Sequence, residues 1–150
     1  MRRALILLCA LILDASLLER AWAAQACAWI VESVDDDGAH KFALNLSVDA
    51  PRSVAVRFQG PGFTSASMGG DLIALDAGEP KEVDNDGFDV SAGDDLHFDV
   101  SLFDRPMGSL EEMDHPTGKL LAAFAFDRKV GEDERAPPAA LAAKQCKPLG

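Results

Sequence analysis

From residue 41 to residue 49 apolar and polar side chains alternate without a break. Phe42, Leu44, Leu46 and Val48 fall on one side, and Lys41, Ala43, Asn45, Ser47 and Asp49 on the other. A repeat of two is the repeat of a pleated strand with one face buried and one face wet. The pattern returns at residues 53–59, with Val54, Val56 and Phe58 inward, and at residues 96–103, with Leu96, Phe98, Val100 and Leu102 inward. Residues 119–129 are apolar enough for a buried strand that ends in Phe124 and Phe126. Residues 28–34 and 71–76 carry the same signal more weakly. Strands with one apolar face have to cover it with a second layer.

Turn residues sit where the strands stop. Asp35-Asp36-Asp37-Gly38 joins the first two strands, and Ala50-Pro51-Arg52 breaks the next junction. Asp86-Gly87 reads as a tight hairpin turn, with Val83 and residues 88–91 as its arms, because glycine accepts the positive φ such turns need. Seven or eight short strands at this spacing predict an all-β fold, an antiparallel immunoglobulin-like sandwich.

Residues 1–23 stand apart from this pattern. Arg2 and Arg3 precede the apolar run at residues 4–13, and Ala21-Trp22-Ala23 supplies small residues at the cleavage positions. These are the parts of a signal peptide. Ala24-Gln25-Ala26 fits the same rule, so the cut falls before Ala24 or before Cys27. A retained anchor and a lipidated Cys27 are the alternatives. The expected mature unit, residues 24–150, is a single domain. It loses three basic and two acidic residues from totals of 14 and 25, leaving 11 against 23. A net charge near −12 repels nucleic acid and favours cationic partners or metal ions. No later segment is long and apolar enough to cross a bilayer, which takes about 20 residues.

Cys9 leaves with the leader. Cys27 and Cys146 remain, one at each end of the domain. Export to the periplasm or the exterior predicts a disulfide between them. A short helix over residues 139–145 is expected to deliver Cys146 to Cys27.

Two connections exceed the usual length. Residues 60–70 are rich in glycine and serine. Residues 104–118 contain Ser109-Leu110-Glu111-Glu112, the form of a capping box, which predicts one helical turn. Long connections inside compact domains often carry function. Phe63, Met107, Leu110 and Met113 are therefore the expected contact residues for a partner protein. Phe63 and Phe103 are expected to be exposed.

Other chemistries have thinner support. A two-residue turn at Asp86-Gly87 would set Asp84 opposite Asp89, and a calcium ion held by Asp84, Asp86 and Asp89 would relieve the repulsion. The EF-hand pattern itself fails, since Glu82 and Gly93 occupy its first and last ligand positions. A solvated acidic turn is the alternative. Met107, Met113 and His115 offer thioether and imidazole ligands that suit copper. His40 and His97 are expected side by side on an outer sheet face. No serine sits in a Gly-x-Ser-x-Gly elbow, and Gly60-Pro61-Gly62 lacks the third glycine of a dinucleotide loop. The composition thus implies an exported, non-enzymatic binding or structural protein. A metal-binding module without another cofactor, and a small hydrolase using acidic residues of the loop face, are the alternatives.

Overall fold

The computed structural model describes residues 24–131 and 143–150. The leader expected at residues 1–23 lies outside the described residues. Among the described residues nine strands, β1 (Gln25–Val34), β2 (His40–Val48), β3 (Arg52–Gly60), β4 (Phe63–Ala66), β5 (Ile73–Leu75), β6 (Lys81–Phe88), β7 (Asp95–Phe103), β8 (Leu120–Lys129) and β9 (Gln145–Pro148), accompany one short helix, α1 (Leu110–Asp114). The alternating segments at residues 41–49, 53–59, 96–103 and 119–129 become β2, β3, β7 and β8, within a residue or so at each end.

The strands form two antiparallel sheets. One has four strands in the order β6-β2-β1-β9. The other has the order β4-β3-β7-β8, with β5 also on β3. Leaving β5 and β9 aside, this is the immunoglobulin-like arrangement. Inward residues of both sheets meet in one core. Its centre is aromatic, with ring centroids of Phe42 and Phe98 5.0 Å apart, Phe42 and Phe88 4.7 Å, and Phe58 and Phe63 5.1 Å. Offset and edge-on ring pairs each add about 0.5–1.5 kcal/mol beyond the area they bury.

Three local expectations change: a turn, a connection and a helix. Asp86-Gly87 is not a hairpin turn. Gly87 lies within β6 and pairs with Lys41, so one strand runs from Lys81 to Phe88 along β2. The hydrophobic partners win over the local turn signal: Phe88 continues the strand so that its ring stacks on Phe42. The hairpin falls instead at Pro61-Gly62, where Gly62 holds φ at 78° and Gly60 pairs with Phe63. The first half of the glycine-rich connection is therefore strand. The described part of the expected helix at residues 139–145 is also not helical. Gln145 opens β9, and Cys146 reaches Cys27 as a directly opposed pair of strands β1 and β9.

The disulfide closes a separation of 119 residues. On the chain-entropy account a loop of that length contributes about 5 kcal/mol. Among the described residues no helix is long and apolar enough to cross a membrane.

Candidate functional site

The connection at residues 104–118 leaves β7 and returns as β8. Its base is tied by Asp104 N donating to Lys119 O at 3.1 Å and Lys119 N to the Asp104 carboxylate at 2.8 Å. Gly118 fits closely there: a Cβ would lie 3.0 Å from the Arg105 side chain and 3.3 Å from its carbonyl, so those neighbours would have to give by a few tenths of an ångström. Ser109 caps α1 and accepts from Glu112 N. Glu112 does not complete the reciprocal box. Its carboxylate accepts from Gly108 N and, at 2.8 Å, from the Thr117 hydroxyl, and Arg105 donates to that same hydroxyl. The Gly108 amide above all, then Thr117 and the Arg105 charge, hold the Glu112 carboxyl below its ordinary pKa. The loop is thus built around one ionised carboxylate.

This loop is joined to the end of the glycine-rich connection. Met107 N donates to Ser67 O at 2.9 Å, and Gly69 N donates to Met107 O at 3.1 Å. Beneath that junction Met107 packs with Ala55 and Phe103, flanked by Ala66 and Met68, as a second small core on the outer face of the five-stranded sheet. Two segments some forty residues apart in sequence therefore form one surface.

The four expected contact residues divide. Met107 is only 2 % exposed and serves as the pin of the loop. Phe63 is half-buried in β4, with its ring against Phe58 and Phe88, and does not face outward as expected. Phe103 points to the outer side of its strand but is buried under the loop. Leu110 is 77 % exposed, and Met113 beside it on α1 is half-buried. His115, the third residue of the copper set, is exposed at the end of α1, while the Met107 thioether lies in the small core.

The calcium set divides as well. Asp84 and Asp86 pair with Leu44 and Phe42 and so share the inward face of β6, at the open edge of its sheet. Asp89 lies past the end of the strand and is exposed, and the cross-strand opposition that motivated the site is absent. Asp84 accepts from the Ser65 hydroxyl of β4, which ties the two sheets across this seam. Among the described residues no group of three His, Cys, Asp or Glu side chains forms a metal-binding set. Inward-pointing charges and the bulge between Leu44 and Asn45 are features that keep an open edge from pairing with another chain.

Burial first, and then the Asp84 carboxylate, raise the Asp86 pKa above 3.8. A carboxyl raised on folding contributes stability only below its unfolded pKa, and that contribution is lost as pH rises through the folded value. At neutral pH the ionised Asp86 opposes folding. Asp86→Asn is therefore expected to raise Tm by a few degrees at pH 7 and to give no gain at about pH 3, where both side chains are neutral. Thermal melts at the two pH values check this.

His40 is the other correction. It shares the inward face with Phe42, not an outer face with His97. Its Nδ1 lies 2.6 Å from Glu32 Oε1, and Glu32 Oε2 lies 2.6 Å from Arg128 Nε. Glu32 and Arg128 are both buried, so a carboxylate and a guanidinium from opposite sheets meet inside the sandwich. His97 stands on the outer face of β7, between Asp127 at 2.6 Å and Asp99 at 3.3 Å. The hydrogen bond to Asp127 first, then the Asp99 charge, raise its pKa. Both ring nitrogens are engaged by these carboxylates, so neither is free to act as a base.

Comparison with protein-family models, with curated proteins and with solved structures gave no match.

Proposed function

We propose that this chain is an exported, non-enzymatic β-sandwich that binds a partner protein through the joined loop face of residues 67–69 and 104–118. The observation that supports this most is Leu110. A large apolar side chain is 77 % exposed on a helix turn whose connection is tied down by Met107, Glu112 and Asp104. A fixed apolar residue loses little conformational entropy on binding, which is the property of an interface anchor. The Cys27–Cys146 disulfide supports an oxidising compartment, the periplasm or the exterior.

Full burial of a leucine contributes about 1.5–3 kcal/mol. Leu110→Asp is therefore expected to weaken capture of the partner by about tenfold or more. The test is affinity capture from the native cell envelope on immobilised chain, with Asp36→Ala at the far end of the sandwich as the control. Far-ultraviolet spectra establish that both variants fold. Bands held by wild type and Asp36→Ala but lost with Leu110→Asp support the reading. Bands held equally by all three overturn it.

A further inference from the structure

Strand β9 closes one seam of the sandwich. One edge pairs with β1 over four residues, from Gln25↔Pro148 to Ala28↔Gln145. Gln145 and Lys147 face Ala28 and Ala26, whose small side chains leave room for their stems, and both reach across to β8. Gln145 Nε2 donates to Ala125 O at 2.7 Å, Lys147 Nζ to Ala123 O, and Gly150 N to Leu121 O at 2.9 Å. Lys147 lies over the Phe124 ring at 5.4 Å, and Lys144 over Trp29 at 4.8 Å. The strand has no buried residue of its own, and Leu149 just after it is the one that enters the core.

These contacts would rarely outlast thermal opening of so short an edge strand. What prevents its departure is covalent. The Cys27–Cys146 bond sits within the pairing, with Cys146 exposed. An exposed disulfide is open to attack by a thiolate. A dithiol would transfer two electrons and two protons to it, leaving two cysteine thiols and the oxidised dithiol. Release of β9 would then uncover the edge of β1 and the carbonyls of Leu121, Ala123 and Ala125 together.

We infer that the β1–β8 seam is a strand-acceptor groove, and that its occupant after reduction is β9 of a second copy of this chain. That strand reproduces every contact just described, and it satisfies the groove by symmetry, as in domain exchange.

The test mixes equal amounts of isotope-labelled and unlabelled full chain at high concentration. The mixture is held in excess dithiothreitol, then reoxidised with a small-molecule disulfide, which takes back two electrons and two protons. The Cys27–Cys146 peptides are then mapped by mass spectrometry without reduction. With a far-ultraviolet spectrum that stays β-rich in dithiothreitol, about half of the linked peptides should join a labelled to an unlabelled half, as random exchange requires. A β-rich spectrum with linked peptides all of one isotope overturns the inference, because β9 then returns only to its own chain. Loss of the β spectrum on reduction also overturns it, because the bond then holds the whole fold and not one strand.

Discussion

Glu32→Ala should lower the stability of the chain by about 3–5 kcal/mol, the range found when one partner of a buried ion pair is removed. Glu32 continues the inward row of Ala26, Ala28 and Ile30 on β1, and Arg128 continues that of Phe124 and Phe126 on β8. Their side chains are 0 % and 5 % exposed and meet at 2.6 Å across the two sheets. The alanine variant deletes the one carboxylate whose two oxygens face that guanidinium and His40, each at 2.6 Å. Equilibrium urea unfolding reads the effect as a drop in midpoint at unchanged slope. A loss under about 1 kcal/mol would place the pair in the class of solvated surface bridges and remove its role as a pin between the sheets.

Met107→Ala should cost about 2 kcal/mol, the low end for truncating a buried methionine, because the small core around it has few members to collapse. Its larger effect is local. Met107 is the side chain that seats the long connection on Ala55 and Phe103. Without it the backbone bonds to Ser67 and Gly69 lose their support, and the loop face opens at a free energy well below that of global unfolding. The variant should bind partner more weakly than wild type while its urea slope stays the same. Full binding with the same loss of stability would separate the pin from the face.

The strands were legible because one residue type repeats at one period. Phe42, Leu44, Leu46 and Val48 leave no other way to bury four apolar side chains, and the same holds for Leu96, Phe98, Val100 and Leu102. The disulfide was legible from compartment and count. The turn at Asp86-Gly87 was misread because a local preference of about 1 kcal/mol competes with burial of Phe88 against Phe42, and burial prevails. The outer face expected for His40 misreads the alternation, and nothing in composition singles out Glu32 or Arg128 as inward. Parity carried the signal: each sits at an even step from the apolar residues of its own strand. Leu110 and Met107 were placed together on the long connection, but their opposite roles depend on whether Phe103 faces the outer side of its sheet beneath the loop. Alternation alone gives the direction of Phe103 and not what covers it.

The joined loop face rests on two backbone bonds, so the most direct measurement is amide hydrogen exchange in the folded chain. The Met107 and Gly69 amides should exchange slowly, protected like those of the strands, while the Leu110 and Glu111 amides at the start of α1 exchange fast. Fast exchange at Met107 and Gly69, at the rate of an open loop, would contradict the account, since residues 67–69 and 104–118 would then be two separate loops with no common surface.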